Sequence, residues 1–228
     1  MKQYNHQLPK AVLFDMDGTI LDSSAMWDTI PYLVLKDLDR VPEPDVQTDV
    51  FPLGVREMAA YFKRRYQPVQ SEAEVYEIIA AHIRRYYHEQ AQLKAGVLPL
   101  MQRLFEHGVQ LAVCTATAHA FSDRAMEITG AARYLRAVQT CEDVDGRPKS
   151  DPALFLHTAA QCGAEPSEVW VFEDALHSIL AAKRAGFSVC AVADPASAFQ
   201  KAEILKLADC FLNNFDEWPS VLPFSAAL

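Results

Sequence analysis

From Gln110 to the C-terminus the chain alternates short apolar runs with helical stretches, and that alternation limits the folds open to it. The runs are Gln110–Thr115 (QLAVCT), Ala137–Thr140, Val169–Asp174 (VWVFED) and Ser188–Asp194 (SVCAVAD), and Ala11–Asp17 (AVLFDMD) supplies a fifth near the N-terminus. Runs this apolar on consecutive residues suit strands covered on both faces, as in a parallel sheet with helical crossovers. Helical patterns occupy roughly 98–107, 118–129, 152–162 and 175–185. Each is followed by a glycine (Gly108, Gly130, Gly163, Gly186) where a left-handed helix stop is wanted. The expected fold is α/β, a Rossmann-like parallel sheet.

Residues 23–94 break the pattern, with no strand-like run and with aromatic, Glu and Arg residues at helical spacing. The sequence therefore predicts a discontinuous sheet domain, residues 1–22 and 95–228, interrupted by a helical insert at 23–94. Pro42 and Pro44 mark a turn in the insert, as does Gln67-Pro68, and the stretch 71–92 opens with Ser71 and Glu74 at capping-box spacing. Three or four helices fit. The 228 residues, 50% of them apolar, are enough for a substantial core. Thirty acidic residues against 21 basic ones leave a net charge of −9, which opposes a nucleic-acid backbone or an anionic bilayer. No stretch approaches the ~20 apolar residues of a membrane span, and MKQYNHQLPK lacks the apolar core of a signal peptide. The expectation is a soluble cytoplasmic protein without nucleic-acid or membrane partners, a monomer or a homodimer. Five cysteines (Cys114, Cys141, Cys162, Cys190, Cys210) without a C-x-x-C pair suit reduced core thiols.

Chemistry concentrates at the carboxyl ends of the expected strands, where open α/β sheets bind ligands. In FDMDGTILDS, Asp15 and Asp17 stand at i, i+2, which on an extended chain places both carboxylates on one side about 6.5 Å apart. Such a pair can straddle a phosphoryl group, one attacking phosphorus and the other protonating the leaving oxygen. Gly18 permits a tight turn and Thr19 adds a hydroxyl. Read alone, the pentapeptide is equally an acidic turn capping the next helix. Thr115 ends the second run, Lys149 precedes a helix starting near Pro152, and Glu173 and Asp174 end VWVFED. Two adjacent acids on a buried strand are costly unless they are paired or hold a metal. Four such features in register with the strand pattern point to one anion-handling site.

The ordered set resembles the haloacid dehalogenase superfamily, specifically the subgroup with a helical cap inserted after the first motif, which includes phosphoglycolate phosphatase and beta-phosphoglucomutase. FDMDGTILDS looks like the first motif, the threonine of VCTAT the second, Lys149 the third and FEDALHSILAAKRAGF the fourth. The resemblance covers essentially the whole chain. It implies a phosphatase acting on a small phosphorylated metabolite, with Asp15 as the nucleophile that becomes an aspartyl phosphate and Asp17 as general acid and base. It also implies Mg²⁺ held by the Asp15 carboxylate, the Asp17 backbone carbonyl and Asp174, with Glu173 supporting the metal's water shell or ligating it. Thr115, Ala116 and Lys149 would hold the phosphoryl oxygens. The chain departs from many relatives at Ser150-Asp151-Pro152 after the lysine, and at Ala175 and Ser178 after the acids. None of these changes removes a charge with an implied role.

Two alternatives stay open: a sugar phosphomutase using the same aspartyl phosphate, and a phosphate-binding regulator that has lost catalysis. A dehalogenase would leave Asp17 and the Glu173-Asp174 pair unexplained, and a receiver-type signalling domain needs no helical insert of this length. Substrate selection is expected from the insert, with Trp27, Tyr32 and Arg56 as candidates and Gly54 as a point of close backbone approach. His119 and His177 are read as helix packing or capping residues, and Gly18 and Gly96 as hinge neighbours.

Overall fold

The computed structural model describes residues 7–50, 53 and 55–228. Gly54, expected as a point of close backbone approach, lies outside the described residues, as does the N-terminal stretch 1–6. The chain forms two compact units, one of residues 1–22 with 91–228 and the other of residues 23–90.

The first unit is built on a six-stranded, wholly parallel sheet: β1 (Ala11–Phe14), β2 (Gln110–Thr115), β3 (Ala137–Thr140), β4 (Val169–Glu173), β5 (Ser188–Val192) and β6 (Cys210–Leu212). Their order is β3-β2-β1-β4-β5-β6. Every residue of β1 is fully buried, as expected of a central parallel strand flanked on both edges and both faces. Phe14 pairs with Val113 on one side and Phe172 on the other. Between β1 and β4 the winding direction reverses, and a crevice at the carboxyl ends follows from that reversal. Alternate residues serve opposite layers. Leu13, Ala112, Val171 and Val189 pack with α7 (Ala153–Gln161) and α8 (Leu176–Arg184), whereas Phe14, Phe172 and Phe215 form a ring series with centroids 5.0 and 6.1 Å apart.

The sixth strand was not expected. It is three residues long at the sheet edge, below the length at which an apolar run separates from background. The first expected strand is also shorter than its apolar run: pairing ends at Phe14, and residues 15–21 form a turn in which the Ile20 and Leu21 amides both donate to the Met16 carbonyl. Beyond that turn the chain segments 20–22 and 92–94 run antiparallel, with the Asp22 amide donating to Gln92 and the Lys94 amide to Ile20, both at 2.9 Å.

The second unit contains α1 (Ser24–Asp37), α2 (Val46–Val50), α3 (Val55–Tyr66) and α4 (Glu72–Arg85). The expected capping box is formed, the Ser71 amide donating to Glu74 at 2.7 Å and the Glu74 amide to Ser71 Oγ at 3.3 Å. The helix expected to continue to residue 92 ends at Arg85, and Tyr86–Gln90 forms a π-helical turn. Lys63 secures the α3–α4 turn by donating to the carbonyls of Pro68 and Gln70, both at 2.8 Å. Among the described residues no helix is long and apolar enough to cross a membrane.

Gly96, at the start of α5 (Val97–Glu106), has φ +82°, and a Cβ there would lie 2.9 Å from the Asp216 amide and from the Phe215 carbonyl carbon. Gly130 has φ +75° with open space around it. Gly130→Ala should cost about 1–2 kcal/mol from left-handed strain alone, and Gly96→Ala about 1–3 kcal/mol more, because backbone has to move. Urea unfolding of both variants measures the difference; equal losses would mean that the Phe215–Asp216 contact does not constrain Gly96.

Candidate active site

Three of the carboxyl groups singled out by the sequence meet in the crevice at the β1/β4 reversal. Asp15 directly follows β1, and its amide donates to the Phe172 carbonyl at 2.9 Å, so the sheet ladder fixes its backbone. Glu173 closes β4 and Asp174 directly follows it. One oxygen from each of Asp15, Glu173 and Asp174 lies within 4.8 Å of the others, and all three residues are buried.

Lys149 enters this cluster from the loop before α7. Its ammonium donates to Asp15 Oδ1 and to Glu173 Oε1, each at 2.5 Å, and it is 5.5 Å from the centre of the Phe155 ring. Burial is the largest influence on Lys149 and favours the neutral amine, but the charges of Asp15 and Glu173 together outweigh it and hold the lysine protonated. Glu173 Oε2 accepts from the Ala175 amide at 2.7 Å, which orients the carboxylate toward Lys149. Asp174 Oδ1 accepts from the Thr19 hydroxyl at 2.9 Å.

One ammonium faces three carboxyl groups, and the imbalance shows in their affinities for protons. Burial, assisted by Glu173 and Asp17 and opposed by Lys149, raises Asp15 to about 7. Burial together with Glu173 and Asp15 raises Asp174 to about 9, against the Thr19 hydrogen bond. A buried cluster of oxygen donors with surplus negative charge is the environment that a hard divalent cation stabilises. The donor set of Asp15, Glu173 and Asp174 therefore fits such an ion.

The Asp17 carboxylate, whose residue was expected to offer the metal its backbone carbonyl and to act as general acid, is not among the three grouped carboxylates. The expectation of two carboxylates on an extended strand fails, because the strand stops at Phe14 and Asp17 sits in the turn. Its Oδ2 accepts from the Thr117 hydroxyl at 2.7 Å. Thr117 is in turn ordered by its own amide, which donates to the Thr115 hydroxyl at 3.0 Å. Thr115 is buried at the end of β2, and Ala116 is exposed in the following loop. Gly18 has φ +74°, and a Cβ there would lie 3.1 Å from Asp174 Oδ2, so the glycine admits the Asp174 carboxylate against the turn.

Sequence reading missed Thr117 and Lys94. Lys94 donates to the carbonyls of Gly18 and Ala193 and, at 2.9 Å, to Asp194 Oδ2. Trp27, Tyr32 and Arg56 belong to the helical unit. Trp27 and Tyr32 lie on α1, and the Arg56 guanidinium carbon sits 5.2 Å from the Tyr76 ring centre. His119 bridges Asp143 at 2.8 Å and Asp123 at 3.2 Å, a packing role, and His177 is exposed. Burial raises the Cys114 thiol to about 12, which makes it inert as a nucleophile.

Residues 9–186 match the family model described as haloacid dehalogenase-like hydrolase. The chain belongs to the haloacid dehalogenase-like hydrolase family. The match takes in every carboxylate and lysine of the cluster. This hydrolase is 29% identical over 228 residues to validoxylamine A 7'-phosphate phosphatase of Streptomyces hygroscopicus subsp. limoneus, an alignment covering 94% of this chain and 99% of the relative. It is 31% identical over 188 residues to N-acetylmuramic acid 6-phosphate phosphatase of Pseudomonas aeruginosa, covering 80% and 81% respectively. A crystal structure from Thermotoga maritima, described as a proposed beta-phosphoglucomutase, superposes with a TM-score of 0.83 at 20% identity over 96% of this chain and 98% of that one. That likeness establishes the α/β fold with a helical cap.

The raised affinities of Asp15 and Asp174 have a consequence for stability in chelator. An aspartate titrates near 3.9 when unfolded, so between that value and about 7 and 9 the folded protein binds the extra protons. The stability they supply is complete at low pH and is lost as pH rises through the folded values. With chelator present, the melting temperature should fall steadily from pH 5 to pH 9. A flat or rising profile would show that the carboxyl groups share the site without this strain.

Proposed function

We propose that this hydrolase is a Mg²⁺-dependent phosphatase that cleaves a small phosphomonoester through an aspartyl phosphate on Asp15. The observation that carries the reading is the Lys149-bridged trio of buried acids beside a separately held Asp17. Hydrolysis of phosphate esters without a catalyst is among the slowest reactions in water, and this arrangement divides it into two displacements. Two of the similar proteins are named as phosphatases of phosphorylated small molecules.

In the first displacement the Asp15 carboxylate forms a bond to phosphorus as the ester P–O bond breaks, and Asp17 gives its proton to the departing alkoxide. In the second, Asp17 takes a proton from water, whose oxygen attacks phosphorus. The bond between Asp15 and phosphorus breaks, inorganic phosphate leaves, and Asp17 is again protonated. Lys149 fixes the plane of the Asp15 carboxylate through Oδ1 and offsets charge on the phosphoryl oxygens. The Thr115 hydroxyl and the Ala116 amide supply neutral donors for the same oxygens. Asp15, the Asp17 carbonyl and Asp174 would hold Mg²⁺, which when bound neutralises phosphoryl charge as a Lewis acid. Thr117 holds Asp17 through a hydrogen bond to Oδ2, which gives the proton-transfer group a partner of its own.

p-Nitrophenyl phosphate should be turned over with Mg²⁺ and not with chelator. Asp15→Asn should lower kcat by a factor on the order of 10³ or more. A panel of phosphorylated metabolites with phosphate release as the readout tests the class; conversion of glucose 1-phosphate isomers without phosphate release would replace it with the mutase reading. Thr117→Val should reduce kcat about 10-fold and displace the limb of the pH profile that reports the general acid, with KM little changed. An unaltered pH profile would remove Thr117 from the mechanism.

A further inference from the structure

Lys94 lies where the chain returns from the helical insert, in a segment with none of the expected motifs. Its ammonium has three protons, and three acceptors surround it: the carbonyl of Gly18, the carbonyl of Ala193 at 3.0 Å and Asp194 Oδ2 at 2.9 Å. The acceptors come from two loops, the turn after β1 and the loop after β5. A surface lysine would be expected to keep its ammonium in water. Here the side chain is only 19% exposed, and the Asp194 side chain is 1% exposed.

The placement of these acceptors ties Lys94 to the reaction centre. Gly18 separates Asp17 from Thr19, and its α-carbon faces the Asp174 carboxylate so closely that a Cβ would stand 3.1 Å from Oδ2. The Gly18 carbonyl is held by Lys94. The lysine therefore fixes the Gly18–Thr19 peptide, whose glycine directly follows Asp17 and borders Asp174, and whose Thr19 hydroxyl donates to Asp174 Oδ1. Asp194 is one of the charges that act on Asp174. Its other oxygen accepts from the Ala196 amide at 2.9 Å, so its carboxylate is held in place. Without Lys94 that charge would be buried beside an already acidic cluster.

We propose that Lys94 is a positioning residue of the catalytic centre, which holds the Asp17–Gly18 turn against Asp174 and neutralises Asp194. This rests on the phosphatase reading for its kinetic consequence, though its effect on divalent-cation binding does not. A purely structural lysine would alter stability and leave each folded molecule as active as before. A mere counter-ion would become dispensable once Asp194 lost its charge. A positioning lysine would be missed in both circumstances, because the Gly18 carbonyl loses its donor either way.

The double variant Lys94→Met/Asp194→Asn separates these cases. It leaves no buried unpaired charge, and so still permits the comparison if Lys94→Met alone does not fold. With p-nitrophenyl phosphate, kcat per folded molecule should fall about 10- to 100-fold with KM within about threefold. The Mg²⁺ concentration giving half-maximal protection against thermal unfolding should rise by about 10-fold or more. Wild-type kcat and Mg²⁺ protection in the double variant would overturn the proposal. A wild-type protein that Mg²⁺ protects but that turns over no phosphomonoester would overturn the phosphatase reading instead, and the double variant's loss of protection would still measure the part played by Lys94.

Discussion

The central physical constraint is the burial of an ammonium among carboxylates. Lys149 holds Asp15 and Glu173 together in a region with little water. Removing these charges from solvent carries a desolvation cost that is recovered only with good geometry and further hydrogen bonds. The surroundings meet both conditions. The sheet ladder fixes the Asp15 backbone, the Ala175 amide satisfies Glu173, and the Thr19 hydroxyl satisfies Asp174. The acid excess that persists is what the divalent cation of the proposed mechanism would offset.

A second constraint is that the proposed chemistry asks two carboxylates close in sequence to do different work. Asp15 stands directly on the strand end, whereas Asp17 sits in a turn and is drawn to Thr117 on the neighbouring β2 loop. This separation comes from the early end of β1. Had the strand continued through Asp17, both side chains would have faced one side of the sheet with similar surroundings. The turn gives one carboxylate a charged, buried environment and the other a hydroxyl partner.

The parts of the structure legible in the sequence share a local cause. Strands β2 and β3 begin and end as their apolar runs do, and Gly108, Gly130, Gly163 and Gly186 all adopt positive φ. Asp15, Thr115, Glu173 and Asp174 were visible as polar residues at strand ends, and Lys149 as a lysine shortly before a helix. Thr117 and Lys94 were not visible, because their partners lie 100 and 76 residues away and neither residue breaks a local pattern. An ordinary linker lysine and a loop threonine acquire meaning only when the topology brings β1, β2 and β5 to one edge. The same holds for β6, whose three residues become a strand through pairing with β5.

The antiparallel pairing of residues 20–22 with 92–94 brings the two crossings into the helical unit side by side. To the sheet, the whole insert is a single long loop with adjoining ends, and the entropy of closing such a loop rises only slowly with its length. A lineage carrying this fold can therefore lengthen, shorten or exchange the insert as a cassette without shifting a strand register or displacing a carboxylate. Variation in the insert is thus decoupled from the carboxylate cluster, and the short ladder at residues 20–22 is the seam along which that recombination can occur.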